Sequence, residues 1–302
     1  MKYLYFKSEK GNFGDDLNPW LWPKLFDDKN LVDENAYLLG IGSILHPQNQ
    51  KLAKITTNKK IIFGTGVRPS NNYQNLIMDE TWDIRFLRGP YSSRALGNGH
   101  EYISDAAYAI RHLNGFPNIK NVEKKYDISI MPYFHSMDYF DWDEIAKNLG
   151  YNLISPFSEK GVEHTLKEIA ASQVVISEAM HGAIIADILR VPWRRFVLTT
   201  PYTEGERVSE FKWNDWLNSI NIVKHDLDYI PFYEKTRLHA PIKKFFNNKV
   251  SIEFFKKNKV TGNLIESLSN VKDYYLSQDS IIDVIDDKFH NQILNLRKDI
   301  II

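Results

Sequence analysis

A histidine and a glutamate lie close together in the segment 177–182, Ser-Glu-Ala-Met-His-Gly. The apolar run 173–176 predicts a strand before this segment, and the pattern over 183–190 predicts a helix after it. His181 is therefore expected at a helix start, beside Glu178. The helix dipole lowers the pKa of such a histidine and a nearby carboxylate raises it, so the sequence leaves its charge at neutral pH open. Either residue is a candidate general acid or base.

An arginine at the end of another predicted strand is suited to binding an anion. Arg88 follows the strand predicted at 84–87, and Gly89-Pro90 then begins a helix that carries Ser92. A guanidinium group matches the paired oxygens of a carboxylate or a phosphate. We therefore expect Arg88 and Ser92 to contact an anionic substrate, and a structural ion pair of Arg88 with Asp105 is the alternative.

Glycine-containing turns follow three more predicted strands. Gly40-Ile-Gly-Ser43 and Gly64-Thr-Gly66 each follow an apolar strand, and Arg68 comes soon after the second. Gly11-Asn-Phe-Gly-Asp-Asp16 follows the first strand and is predicted to cap a helix that begins near Pro19. Such turns let backbone N–H groups approach an anion or a sugar, or they simply connect a strand to a helix. Neither Gly-x-Gly is the full dinucleotide-binding fingerprint.

The elements that must position these residues alternate between strand and helix along the chain. Strands are predicted at 2–6, 36–41, 60–63, 84–87, 127–131, 152–154, 173–176 and 196–199. Helices are predicted at 17–26, 92–96, 142–149, 164–171 and 183–190. Several strands are continuous apolar runs, which is typical of parallel strands covered on both faces. The order predicts an α/β fold with doubly wound sheets.

A polar, lysine-rich stretch at 118–125 separates two series of these elements. We interpret it as a linker between two α/β domains at 1–118 and 122–225, followed by a helical extension at 226–302. Ligands of such sheets bind beyond the carboxyl ends of the strands, so the cleft between the domains is the expected site.

Composition excludes several classes of protein. The 302 residues include 38 Lys and Arg against 38 Asp and Glu, and this zero net charge argues against a nucleic-acid partner. The absence of cysteine excludes disulfides, thiolate nucleophiles and cysteine zinc sites. We see no cluster of metal ligands and predict that the protein binds no metal.

Nothing in the sequence predicts a signal peptide or a membrane span, and we expect a cytoplasmic protein. The stretch 234–259 carries eight Lys or Arg against two Glu, with two Phe-Phe pairs interleaved. It is either a surface for peripheral contact with the inner face of the membrane or a lipid diphosphate, or a solvated helix face with inward phenylalanines.

Taken together and in order, these motifs resemble the polysaccharide pyruvyl transferase family over about residues 1–225. The motifs are Gly11-Asn-Phe-Gly-Asp-Asp16, Gly64-Thr-Gly66, Arg88-Gly-Pro-Tyr-Ser92, Ser104-Asp105 and Met180-His-Gly182 followed by Val191-Pro192. The resemblance implies two Rossmann-like domains arranged as in GT-B glycosyltransferases. It also implies phosphoenolpyruvate as co-substrate without another cofactor, and a saccharide acceptor that is free or lipid-linked.

By the same resemblance, Arg88 matches the arginine that binds the donor, and His181 matches the histidine of an Arg-Leu-His-Gly segment. The predicted catalytic residues are His181, Glu178 and Asp105. The predicted donor-binding residues are Arg88, Arg68, Ser92, Gly182, Gly64 and Gly66. The predicted acceptor-binding residues are Asn12, Asp15, Asp16 and His135, and His135 has a structural role as its alternative.

One residue departs from the family pattern. Ala179 stands where the family often has arginine, so one anion contact is missing or comes from elsewhere. The candidates to replace it are Arg68, Arg94, Arg190 and Arg194. Two other functions stay open: a nucleotide-sugar glycosyltransferase of the same shape, and a non-catalytic sugar-binding module.

Overall fold

Two parallel β-sheets organise the chain. The structure is a computed structural model that describes residues 1–26, 35–69, 76, 78–232 and 249–300. The first sheet has the order β1-β2-β3-β4, with β1 at Lys2–Tyr3, β2 at Ala36–Leu39, β3 at Lys59–Phe63 and β4 at Trp82–Phe86. The helices of this half are α1 at Phe13–Phe26, α2 at Gln50–Ala53, α3 at Pro90–Ala95 and α4 at Phe116–Lys120, with a 3-10 helix at Ala106–His112 before α4.

The second sheet is also parallel. Its order is β6-β5-β7-β8-β9, with β5 at Tyr126–Met131, β6 at Asn152–Leu153, β7 at Ser172–Ser177, β8 at Trp193–Val197 and β9 at Asp228–Tyr229. The helices between these strands are α5 at Trp142–Leu149, α6 at Val162–Ala170, α7 at Met180–Ile188 and α8 at Glu206–Ser219, with a 3-10 helix at Phe134–Asp138. Each predicted strand overlaps an observed one, so the predicted α/β class with parallel sheets is confirmed.

Helix α1 begins earlier than predicted. It starts at Phe13 and continues through Pro19, so the prediction of a helix starting near that proline was wrong. A proline within a helix removes an N–H donor, here the one that would reach the carbonyl of Asp15. The side-chain amide of Asn18 donates to that carbonyl at 3.1 Å instead. Asn18 also exchanges hydrogen bonds with the backbone of Ile41 at 3.0 and 3.1 Å, which joins α1 to the end of β2.

Helix α8 was not predicted, although its sequence carries a helical signal. Its buried apolar residues are Trp213, Trp216 and Leu217, and Ile220 follows directly. Their spacing of three, four and seven residues is the pattern of one helix face. This face joins the core, while Phe211 packs against apolar residues of the first sheet.

The last two helices pack on different sheets. Helix α9 spans Lys249–Ser269, and its Leu264 and Leu268 lie in the core of the second sheet. Helix α10 spans Asp279–Ile300 and returns to the first sheet, where the ring of Phe289 lies 5.0 Å from that of Phe86. The segment 226–302 thus includes β9 and two helices that close both cores, and the predicted domain boundaries stay a prediction.

The possible membrane contact concerns a stretch that lies largely outside the described residues. The structure does not describe 233–248, nor the side chains of 249–256. Within the described ranges, no helix combines the length and the apolar character needed to cross a bilayer.

Candidate active site

A cavity of about 560 Å³ is lined by residues from both halves of the chain. Its lining comes from the segments that follow the carboxyl ends of strands in both sheets, as parallel sheets favour. Asn12 and Asp15 follow β1, Ser43 follows β2, Arg68 follows β3, Arg88 follows β4, Tyr133 and His135 follow β5, and His181 follows β7. The sequence predicted this location from the same rule.

His181 lies in the first turn of α7 and lines the cavity with a side chain that is 17% exposed. Gly14 of α1 packs directly against its ring, and a Cβ at position 14 would overlap the imidazole. Only glycine therefore permits this approach of α1 to α7. On its other side, His181 Nε2 is buried and lies 3.8 Å from Asp105 Oδ1. This distance is too long for a hydrogen bond.

The charge of His181, which the sequence left open, is settled by its surroundings. Burial lowers its pKa to about 3, and the positive charges of Lys212 and Arg88 act in the same direction. The carboxylate of Glu178 points elsewhere and does not offset them. The imidazole is therefore neutral at pH 7 and can accept a proton.

Asp105 is fully buried behind His181. Its Oδ1 accepts a hydrogen bond from the N–H of Ala107 at 3.0 Å, which caps the 3-10 helix. Its Oδ2 has no hydrogen-bond partner among the described residues. Burial raises the pKa of this carboxyl to about 6, although Arg88 opposes the rise. Asp105 is therefore not among the residues that line the cavity, and it can act on a ligand there only by its effect on His181.

Arg88 is buried, and its ion pair is with Asp215 of α8 instead of Asp105. Its Nε donates to Asp215 Oδ2 at 3.0 Å, and its Nη1 donates to Ser43 Oγ at 2.7 Å. Its Nη2 has no hydrogen-bond partner within the described part of the chain. Gly66 packs against the guanidinium, which a Cβ at that position would overlap. Arg88 thus lines the cavity with a guanidinium in a fixed orientation, and its one unused donor, Nη2, is buried.

Glu178 also lines the cavity, but its carboxylate is occupied by hydrogen bonds. Oε1 accepts from the backbone N–H groups of Leu198, Thr199 and Thr200 at 3.2, 2.6 and 3.1 Å. Oε2 accepts from the N–H of Tyr133 at 3.2 Å and from the hydroxyl of Ser136. Glu178 therefore ties the end of β7 to the segments after β5 and β8. This geometry favours a positioning role over the predicted catalytic one.

Asp15 is buried in the first turn of α1 and faces the cavity. Asn12 donates to its Oδ2 at 2.7 Å. Burial raises the pKa of Asp15 to about 7, and the positive charge of Lys212 opposes part of this rise. The carboxyl group therefore exchanges its proton near neutral pH, and no local sequence pattern predicts this.

Some of the remaining predicted ligands line the cavity and the others do not. His135 and Arg68 line the cavity with the residues above. Ser92 instead bonds to Asp215 and to the N–H of Val67, at 2.6 and 2.9 Å. Gly64, Gly182 and Asp16 lie outside the cavity lining, where the two glycines pack against Phe86 with Ala106 and against Ser177 with Met131. Their assignment as ligands stays a prediction.

Of the four arginines proposed to replace the one absent at Ala179, Arg68 lines the cavity. Arg94 stacks on Tyr91 instead, with its guanidinium 4.4 Å from the ring centroid. Arg190 pairs with Asp279, and Arg194 pairs with Asp228. Arg68 is therefore the arginine best placed to meet an anion beside Arg88.

The sequence did not single out Lys212, Glu204 or Tyr133, which also line the cavity. Lys212 lies on the unpredicted α8, and Glu204 lies in a π-helical turn at Pro201–Gly205 before it. The one sequence signal for this region is the apolar spacing that predicts α8, which would have drawn attention to Lys212 and to Glu204 just before the helix. Within the described ranges, no three side chains of a type that binds metals cluster as a metal site requires.

The sequence model of the polysaccharide pyruvyl transferase family matches residues 6–197, a range that contains Arg88, Asp105, Glu178 and His181. The chain belongs to this family. It is also similar to the succinoglycan biosynthesis protein ExoV of Rhizobium meliloti (strain 1021), with 34% identity over 226 residues. That similarity covers 74% of this chain and 66% of the relative, just under two thirds of its length.

Among solved structures, the wall teichoic acid polymerase TagF gives a TM-score of 0.32 at 13% identity. The match covers 86% of this chain and 73% of that one. Its TM-score is too low to support an argument about the fold or the ligands. The arrangement as two GT-B-like domains therefore stays a prediction.

Proposed function

We propose that the protein transfers a pyruvyl group from phosphoenolpyruvate to a saccharide and forms a cyclic ketal. Membership of the pyruvyl transferase family carries this proposal, since the match includes both Arg88 and His181. The cavity supports it because a buried guanidinium, a neutral imidazole and carboxyl groups of raised pKa line or adjoin one space.

The reaction sets the demands on the site. A proton adds to C3 of phosphoenolpyruvate, which becomes a methyl group, and a sugar hydroxyl adds to the cationic C2. The C2–O bond to phosphate then breaks, and a second hydroxyl adds to C2. Of the two hydroxyl protons, one balances the proton taken by C3 and the other leaves with inorganic phosphate. The site must therefore bind two anionic groups, supply a proton and accept a proton.

Arg88 is the proposed ligand of one anionic group of the donor. Its Nη2 has no hydrogen-bond partner in the described part of the chain, while Asp215 and Ser43 fix the rest of the guanidinium. A guanidinium held in this way is preorganised, and an anion that reaches the buried Nη2 finds an unused donor in a fixed position. Arg68, which also lines the cavity, is a second proposed ligand.

His181 and Asp15 are the proposed proton-transfer groups. A histidine with a pKa of about 3 is unprotonated at pH 7 but is a weak base, so His181 suits the removal of a proton from the sugar hydroxyl once a bound donor anion has raised its pKa. Asp15, with a pKa of about 7, retains a proton in a large share of molecules and suits protonation of C3. Asp105 would stabilise the imidazolium that forms on His181. When the donor anion binds, it raises the pKa of both residues.

The proposed acceptor binds against Asn12 and His135, which also line the cavity. The name of the similar Rhizobium protein places that protein in succinoglycan biosynthesis. We extend this to an acceptor from a surface polysaccharide or its lipid-linked precursor, handled in the cytoplasm or at its membrane. The identity of the sugar is part of the test.

Binding and release of products test the proposal. Phosphoenolpyruvate at 100 times its Kd should stabilise the fold by about 2.7 kcal/mol, which a thermal-shift assay detects. With a saccharide acceptor, inorganic phosphate should be released in proportion to ketal formation. Release of a nucleotide from a sugar nucleotide, without a response to phosphoenolpyruvate, would contradict the proposal and support a glycosyltransferase.

Matched variants separate the site from general stability. Arg88→Lys should weaken donor binding, whereas Arg111→Lys, which alters a part-buried pair with Asp286 away from the cavity, should not. His181→Gln should abolish turnover, whereas His112→Gln, at another part-buried histidine outside the lining, should retain it. Equal effects within each pair would contradict the site assignment.

A further inference from the structure

Helix α8 brings a lysine to the cavity beside Arg88. Asp215 binds Arg88 Nε at 3.0 Å and the N–H of Ser92 at 2.9 Å, which fixes the helix against the segment after β4. Lys212 precedes Asp215 by three residues, so both lie on one face of α8. Lys212 lines the cavity with a side chain that is 19% exposed. Two cations, Lys212 and Arg88, therefore line the same cavity.

The ammonium group of Lys212 is held by a carboxylate that also faces the cavity. Its Nζ donates to Glu204 Oε1 at 2.7 Å, and the same oxygen lies 3.9 Å from Arg68 Nη1. One carboxylate thus lies between two cations. An ammonium group has three donors, so Lys212 can bind a further acceptor from the cavity. A carboxylate between a lysine and an arginine occupies the kind of position that an anionic substrate would take.

The charge of Lys212 reaches the groups proposed to transfer protons. It is the strongest of the charges that act on the pKa of His181, ahead of Arg88, and it is the largest influence that lowers the pKa of Asp15. Both effects place the ammonium group within electrostatic range of the reacting centre. A surface salt bridge remote from the cavity would have neither effect.

We propose that Lys212 is a substrate ligand that binds a carboxylate or phosphate group in the cavity, and that Glu204 holds its ammonium in the free protein and yields it to that anion. The identity of the anion as phosphoenolpyruvate rests on the proposed function. Lys212 then supplies a positive charge that the chain lacks at Ala179, from a different helix.

A purely structural salt bridge makes the opposite prediction. If Lys212 and Glu204 only stabilise the turn before α8, removing either partner should have effects of the same sign. If Lys212 binds the substrate, Lys212→Gln removes a ligand, whereas Glu204→Gln removes a competing carboxylate of equal shape. The two variants should then change anion affinity in opposite directions.

Isothermal titration of phosphoenolpyruvate against four proteins tests this: the wild type, Lys212→Gln, Glu204→Gln and the control Lys167→Gln. Lys167 forms a solvent-exposed pair with Glu163 at 2.8 Å. We expect Lys212→Gln to raise Kd at least tenfold, Glu204→Gln to lower it, and the control to match the wild type. A Kd that is unaffected by Lys212→Gln, or raised alike by both site variants, would overturn the proposal.

Failure of the proposed function would look different. If the wild type binds no phosphoenolpyruvate, that function is wrong, and inorganic phosphate becomes the probe in a thermal-shift assay. A shift in the wild type that Lys212→Gln loses would then support the lysine as an anion ligand. No shift, or one retained by Lys212→Gln, would overturn it.

An NMR titration of His181 checks that Lys212→Gln still folds around the cavity. Loss of the positive charge should raise the pKa of the imidazole in the folded variant. An unchanged pKa would show that Lys212 does not act on the reacting centre and would also overturn the proposal.

Discussion

Replacing Asp15 by asparagine should make the protein more stable at neutral and alkaline pH but not at pH 4. The carboxyl group is buried in the first turn of α1, where Asn12 is its hydrogen-bond donor. Asparagine keeps the shape and one acceptor oxygen, and it cannot ionise. The substitution therefore removes the cost of a buried charge with little other change.

The sign and size follow from the raised pKa. Asp15 has a pKa of about 7 in the folded protein, against 3.8 as the ordinary value. Between these values the unfolded chain has lost the proton and the folded protein retains it, so stability falls as pH rises from about 4 to 7. At about 1.4 kcal/mol per pKa unit, the loss is roughly 4 kcal/mol above pH 7. The weaker hydrogen bond to asparagine offsets part of this, which leaves a net gain of about 1–3 kcal/mol.

Thermal unfolding of the wild type and Asp15→Asn from pH 4 to 9 measures this gain. The difference in Tm should be near zero at pH 4, increase through pH 6 and level off above pH 7. Asp16→Asn removes the same formal charge from the next residue and corrects for the change in net charge. A difference that is independent of pH, or a less stable Asp15→Asn at pH 8, would refute the reasoning.

Three further predictions concern the frame of the site. Glu178→Gln should lower the free energy of unfolding by about 2–4 kcal/mol, since an amide N–H₂ would face buried donors, and denaturant titration measures this. Gly14→Ala should reduce kcat/KM at least tenfold with a smaller effect on stability, because its Cβ displaces His181, and steady-state kinetics with a melting curve separate the two effects. Phe289→Ala should cost about 3–5 kcal/mol of unfolding free energy by calorimetry, because its ring packs 5.0 Å from that of Phe86 between α10 and β4.

The alternation of strands and helices was predictable because several strands are continuous apolar runs and several of the turns that follow them carry glycine or proline. Short β9, with only Asp228 and Tyr229, has no such run and was missed. The start of α1 was misplaced for a different reason. Proline ordinarily marks a helix boundary, and here the side chain of Asn18 replaces the hydrogen bond that Pro19 removes.

The location of the cavity was predictable, whereas the charge states of the side chains that line it were not. Ligands bind beyond the carboxyl ends of parallel strands, and both Arg88 and His181 follow such ends. They were therefore expected in one cavity without any knowledge of their contacts. The neutral state of His181 depends on burial and on Lys212, which lies 31 residues later in the chain. The hydrogen bonds that Glu178 Oε1 accepts likewise come from backbone N–H groups of the segment after β8. Such properties arise from tertiary contacts that a local pattern does not contain.

The family match ends at residue 197, before α8 begins at Glu206. Yet Asp215 of that helix fixes Arg88 and Ser92, two residues of the matched region. The orientation of the proposed donor arginine therefore depends on a segment outside the range that identifies the family. Sequence changes in α8 can alter the anion site while every matched motif stays intact. Ala179 and Lys212 fit this view, since a charge absent at the start of α7 is present on α8 in the same cavity.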